Sequence, residues 1–163
     1  MTLQKLFLTL FGAGMSPKSP KTAGTLVALV VGLAILNFLG METLFMMTVA
    51  VIIIGIFEIN KYQRLTEETN RQEIVIDEAA GMWMSLMITL STAATIDHPF
   101  TNILAIILSI ASFRLFEIWQ PSTIGWINRE IQGGLGMMMR SVLSGIAGGL
   151  LSVVVLMGLR TLL

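Results

Sequence analysis

The sequence predicts an all-α, polytopic membrane helix bundle of about five transmembrane helices, with its polar site on one face. Three observations carry that prediction. Of 163 residues, 55% are hydrophobic and only 12% charged, with a mean hydropathy of +0.83; a soluble domain holds about 25% charged residues. The charges are bunched, so that long stretches carry none. Lysine and arginine, in turn, fall almost wholly on one side of those stretches. The same composition excludes other classes. A net charge of zero argues against a nucleic-acid binder, and so apolar a chain is not disordered. Without cysteine there is no disulfide framework, thiolate nucleophile or thiolate zinc site. At about 20 residues per span the chain has room for roughly four to six spans, read as one membrane domain over residues 1–163.

The elements follow from the gaps between charges. Lys5 followed by LFLTLF resembles the opening of a signal peptide, but its apolar part is short and no clean small-x-small cleavage site follows. An interfacial or re-entrant segment leading into a loop is expected instead. The first span is residues 22–41, with 20 uncharged positions, and the second is residues 43–57, with 15. The third is residues 79–96; the fourth starts at His98 and its apolar pattern continues past Arg114 to Leu115 and Phe116. The fifth is residues 141–159. Flanking residues extend the shorter ones into the headgroup region.

With five spans, Lys5, Lys18, Lys21, Lys61, Arg64, Arg71, Arg114, Arg129 and Arg140 share one side, and only Arg160 lies on the other. That asymmetry predicts a cytoplasmic N-terminus and a cytoplasmic polar face. The outer connections, around residues 40–42 and 97–100, are short. His98, beside Pro99, belongs to one of them and so lies across the membrane from the polar face. Small residues repeat every fourth position as Gly24, Ala28 and Gly32 in the first span, and as Ser141, Gly145 and Gly149 in the last. Ser144, Gly148 and Ser152 form a second such row. These ladders predict close helix packing, and would also permit a homodimer. The twelve methionines read as adaptable filler.

Three cytoplasmic segments hold the polar chemistry. GAGMSPKSPKTAGT, residues 12–25, is broken by glycine and proline, offers hydroxyls, and ends at a helix N-terminus. It suits either a phosphate or a positively charged anchor with a turn. Residues 58–78 read mostly as a solvated helix, with i, i+4 pairs Glu67–Arg71 and Arg64–Glu68. Its end, EIVIDEAAGMW, places Asp77 and Glu78 directly before a span. Adjacent carboxylates there need positive charge, from a hard divalent cation such as Mg²⁺ or from nearby Arg or Lys. In residues 113–141, Arg114 and Glu117 stand at i, i+3, Pro121 stops the helix, and Trp119 and Trp126 suit the headgroup level.

Together these segments resemble the phosphatidylglycerophosphatase A family over nearly the whole chain. The resemblance rests on the glycine/proline loop, on an IV-x-DE-x-x-GMW motif read here as IVIDEAAGMW, and on FRLFEIWQP, NR and GGLGMMMRS. It implies an integral inner-membrane, Mg²⁺-dependent phosphatase that hydrolyses the terminal phosphomonoester of phosphatidylglycerophosphate to phosphatidylglycerol. Asp77 and Glu78 would then carry metal binding or base chemistry, with Glu117 and Arg114 completing the catalytic set. Ser16, Lys18, Lys21, Thr22 and Thr25 would cradle phosphate oxygens, with Arg129 also binding substrate. The chain departs from the family pattern at polar positions. Glu117 replaces an aspartate, Gln120 a lysine, Asn128 an aspartate and Lys21 a glycine; Arg140 and Ser141 replace a pair of aspartates. Arg140 would repel the metal that the lost pair would have helped to hold.

Three functions are therefore in view. The first is a working lipid phosphatase. The second is a catalytically impaired relative that binds anionic lipid headgroups without turnover, with Arg140, Lys21 and Lys18 replacing the metal's charge. A small transporter or channel is the third, and spans nearly free of ionisable residues argue against it.

Overall fold

The computed structural model describes residues 3–13, 20–66, 74–96, 99–119, 122–131 and 133–162. Among them run seven helices: α1 (Leu3–Leu8), α2 (Pro20–Phe38), α3 (Met41–Thr66), α4 (Ile76–Ala93), α5 (Thr101–Trp119), α6 (Ser122–Glu130) and α7 (Gly133–Leu162). Helices α2, α3, α5 and α7 are each long and apolar enough to cross a membrane. The remaining long helix, α4, carries Asp77 and Glu78 in its first turn. It packs against α2, α3, α5 and α7, which lets a less apolar helix occupy the middle of the bundle. The fold is the predicted helical membrane bundle, with α4 as its enclosed member.

Local chemistry explains the ends. Pro20 opens α2, where its fixed φ suits a first helical position and its missing N–H costs nothing. Gly40, at φ 98°, makes the tight turn into α3; its N–H and that of Leu39 both reach the carbonyl of Ile35, the glycine-based helix ending that leaves few carbonyls unpaired. At the start of α7 the amide of Gly134 donates to Asn60 Oδ1 at 2.8 Å, so α3 supplies a partner for an N-terminal N–H. Near the N-terminus, Leu8, Thr9 and Leu10 are buried, and the amide of Val75 donates to the carbonyl of Leu8 at 2.9 Å. This ties the end of α1 to the start of α4.

Glycines set the helix spacing. A Cβ on Gly145 would run into the Gly81 carbonyl, and one on Gly148 would lie 2.7 Å from the backbone nitrogen of Phe113. On the other side, a Cβ on Gly24 would lie 2.8 Å from Val75 Cβ, and one on Gly32 2.7 Å from Trp83 Cδ1. Trp83 Nε1 donates to the carbonyl of Ala28 at 2.8 Å, satisfying a buried donor. Both small-residue ladders are thus spent on contacts within the chain: Gly24–Gly32 on α4, and the two rows of α7 on α4 and α5.

Helix bounds differ from the charge-free stretches in one consistent way. α3 continues through Glu58, Lys61 and Arg64 to Thr66, and α7 begins eight residues before Ser141, at Gly133. Charges end a membrane-crossing stretch but do not end a helix, which keeps its own hydrogen bonds beyond the hydrocarbon. The Glu67–Arg71 pair, and Glu68 of the other pair, lie outside the described residues.

Candidate active site

Four elements bring polar side chains to one end of the bundle. Lys21 and Thr25 come from the first turns of α2, Asp77 and Glu78 from the first turn of α4, Arg114 and Glu117 from the last turns of α5, and Arg140 and Ser141 from the second and third turns of α7. α1 is tied beneath them through Val75. The register between α4 and α7 explains the meeting. Both helices run outward from this end, and Gly81 and Gly145 each lie four residues past Asp77 and Ser141. Close approach of the two glycines, about one turn on, therefore sets Ser141 beside Asp77.

Asp77 and Glu78 are fully buried. Lys21 Nζ lies 3.4 Å from Asp77 Oδ2 and 3.4 Å from Glu78 Oε1, bridging the two carboxylates. Asp77 Oδ2 also accepts the Ser141 hydroxyl at 2.5 Å, and Arg140 Nη2 stands 3.6 Å from it. Glu78 Oε2 lies 2.9 Å from the Thr25 hydroxyl. Beside this group, Arg114 pairs with Glu117 and its second terminal nitrogen reaches Thr22 Oγ1 at 3.4 Å. The Glu117 carboxyl is close enough to that of Glu78 to interact with it. Asp77 Oδ1 and Glu117 Oε2 are buried without a hydrogen-bond partner among the described residues.

Of the residues that the sequence reading assigned to catalysis or substrate, the structure sets Asp77, Glu78, Glu117, Arg114, Lys21, Thr22 and Thr25 at the same end of the bundle. Ser16, Lys18, His98 and Gln120 lie outside the described residues, as do the side chains of Asn128 and Arg129. Ser141 gains a place the sequence reading did not give it, and Arg140, there a stand-in for the metal's charge in the second reading, gains a definite partner. Arg140 and Ser141, read there as lost carboxylates, are direct partners of Asp77. The signal was present in the ladder Ser141–Gly145–Gly149, whose first member is polar where its others touch α4.

Does this donor set fit Mg²⁺? Carboxylate oxygens are the right chemistry, and two of them lack a partner. Against that, Lys21 already sits between the two adjacent carboxylates, and Arg140 sits on the same Asp77 oxygen. Unit charges about 4 Å apart interact by about 4 kcal/mol at an effective dielectric near 20, and a dication doubles the repulsion from each cation. No group of three or more His, Cys, Asp or Glu placed to hold a metal ion is found among the described residues. With Lys21 and Arg140 where they are, the residues do not fit a divalent ion.

What the cluster can do is bind an anion and move a proton. Three cations, Lys21, Arg114 and Arg140, line the same end as three carboxylates. Arginine forks match phosphate oxygens, and an unpartnered carboxylate oxygen is free to accept a proton from water.

Comparison with known sequences bears on the same residues. Residues 6–156 match the family described as Phosphatidylglycerophosphatase A. A Bacteroides thetaiotaomicron protein named "Putative phosphatidylinositol-3-phosphatase" is 31% identical over 148 residues, covering 88% of this chain and 87% of its own. Phosphatidylglycerophosphatase A of Escherichia coli is 28% identical over 136 residues, covering 83% of this chain and 73% of its own. The Haemophilus influenzae protein of the same name is also 28% identical over 136 residues, covering 83% and 78%. No solved structure matches the chain.

Proposed function

The chain belongs to the phosphatidylglycerophosphatase A family, and from that premise we propose that it hydrolyses the terminal phosphomonoester of phosphatidylglycerophosphate to give phosphatidylglycerol. The chain is a multi-pass membrane protein of a lipid-phosphatase family, so substrate and enzyme share the bilayer. The observation that supports the finer reading is the cluster itself: cations from α2, α5 and α7 at one end of the bundle, beside buried carboxylate oxygens that lack a partner. Arg114, Lys21 and Arg140 hold the phosphate. Glu117, the less enclosed carboxylate at 6% exposure, takes a proton from the attacking water as the new P–O bond forms, and returns it to the glycerol oxygen as that P–O bond breaks, so that the oxygen leaves as a hydroxyl. Thr22 and Thr25 fix the geometry of Arg114 and Glu78.

We place this end on the cytoplasmic side of the inner membrane, because nine of the ten lysines and arginines fall on its side of the spans. The expected Mg²⁺ dependence enters the test as a variable, since the donor set does not fit the ion.

A second substrate has a specific observation behind it. The Bacteroides relative is named for phosphatidylinositol-3-phosphate, which presents the same chemistry, a phosphomonoester on a polyol headgroup. The test is phosphate release by the purified full chain in mixed lipid–detergent micelles, with each of the two lipids, with Mg²⁺ and with EDTA. Release from phosphatidylglycerophosphate above that from the inositol lipid supports the first reading, and the reverse order supports the second. No release from either lipid in either condition overturns both, and leaves a headgroup binder without turnover.

A further inference from the structure

Asp77 and Glu78 form the floor of the site, and each is 0% exposed. The cations over them are not sealed: the side chain of Lys21 is 29% exposed and that of Arg140 16%. The order from inside to outside is therefore carboxylates, then cations, then the open end. Two adjacent buried carboxylates cannot be left bare, because an unpaired buried charge costs several kcal/mol. Something positive must stay with them whether or not a ligand is bound. Lys21 Nζ, 3.4 Å from an oxygen of each, gives both carboxylates one shared positive charge. Arg140 Nη2, 3.6 Å from Asp77 Oδ2, adds a second charge from a different helix. Ser141 donates to that same oxygen.

We propose that Lys21 and Arg140 are the permanent counter-cations of this site, standing in for a divalent metal, and that they present a positive surface which holds a phosphomonoester without Mg²⁺. The inference rests on the preceding reading only for the ligand. An ammonium has three donors; two of them face Asp77 and Glu78, and the third is left for a phosphate oxygen at the exposed end. The Arg140 guanidinium carries five N–H donors, enough to serve Asp77 and a phosphate together. The carboxylates hold the cations, and the cations meet the ligand. The fold sets both cations, from two different helices, on one carboxylate.

Two measurements on the full chain in detergent test this, neither of which needs turnover. In the first, Mn²⁺ binding is followed by electron paramagnetic resonance. Wild type is expected to show no saturable site. The pair Lys21→Met with Arg140→Asp is expected to gain one saturable Mn²⁺ site per chain, half-filled at a Mn²⁺ concentration at least about tenfold below the highest at which wild type shows none, the factor that 1.4 kcal/mol supplies. A wild-type site that Asp77→Asn abolishes would overturn the proposal, as would a folded double variant that gains no Mn²⁺. If the double variant does not fold, as judged by circular dichroism, Lys21→Gln alone is used, with the same expected direction. In the second measurement, vesicles containing phosphatidylglycerophosphate are titrated onto the protein in EDTA. Binding is expected to persist, to weaken with salt, and to fall at least about tenfold in Arg140→Gln. Binding that vanishes in EDTA and returns with Mg²⁺ overturns the proposal while leaving the phosphatase reading intact. Phosphate release that fails under all conditions overturns that reading while the binding results stand.

Discussion

Asp77 shows how much of the site one residue can hold. Its Oδ2 meets Lys21, Arg140 and Ser141, which belong to two other helices. Asp77→Asn keeps the shape but removes the charge, so both cations lose an anion at once. We expect the change to lower unfolding free energy by about 3 kcal/mol, the lower end of what removing one partner of a buried ion pair costs, and to abolish phosphate release. Denaturant unfolding in detergent reads the first effect, and a loss under about 1 kcal/mol, the scale of an exposed pair, would show that the cluster is solvated. Thr25 makes a finer test. Thr25→Val keeps volume but removes the hydroxyl 2.9 Å from Glu78 Oε2, at an expected cost of about 1–3 kcal/mol, whereas Thr25→Ser should cost far less. At this scale the sequence was informative about residue types, since carboxylates beside a span require cations, but not about Lys21 as one of them, 56 residues from Asp77. It could not reveal Arg140 as a partner of Asp77, because 63 residues separate them and only the α4–α7 register joins them.

That register belongs to the helices. Gly81 and Gly145 let α4 and α7 approach backbone to backbone, and the same approach sets Ser141 at Asp77 one turn away. Gly145→Val should therefore act on both stability and function. Overpacking alone costs about 1–3 kcal/mol, and separating the helices also removes Ser141 and Arg140 from Asp77. Gly158→Ala is the control, since a Cβ there meets nothing within 4 Å and alanine favours helix by close to 1 kcal/mol. Thermal unfolding of the two variants in one detergent, with phosphate release, should separate them clearly; equal midpoints would refute the packing argument. Helix existence was legible in the charge-free stretches. Helix ends were not, because α3 runs through Glu58, Lys61 and Arg64 into the polar phase and α7 starts well before its apolar part. The ladders were legible as packing, and their partner helices were not.

For the whole molecule, the charge distribution and the fold have to agree. α4 is the only long helix that falls short on apolar composition among the described residues, and it is the one the others surround. The outer helices instead present Val30, Phe45, Ile53, Phe57, Ile107 and Val154 outward, a surface suited to lipid. For such a bundle the positive-inside rule predicts that the polar end, with Lys21, Arg64, Arg114 and Arg140, faces the cytoplasm. The absence of cysteine makes this directly measurable. Arg64→Cys lies at the exposed polar end of α3, and Leu39→Cys lies in the exposed turn at the opposite end. In right-side-out membrane vesicles a membrane-impermeant maleimide should label Leu39→Cys at once and Arg64→Cys only after the vesicles are opened. The reverse pattern would put the site outside and remove the positive-inside argument. Labelling of both in sealed vesicles would mean that the two ends do not lie across a bilayer, and the bundle itself would be wrong. The outcome also bears on chemistry, because a cytoplasmic site can only reach lipid headgroups in the inner leaflet. Lipid placed solely in the outer leaflet of sealed right-side-out vesicles should therefore stay intact until the bilayer is permeabilised or the lipid flips.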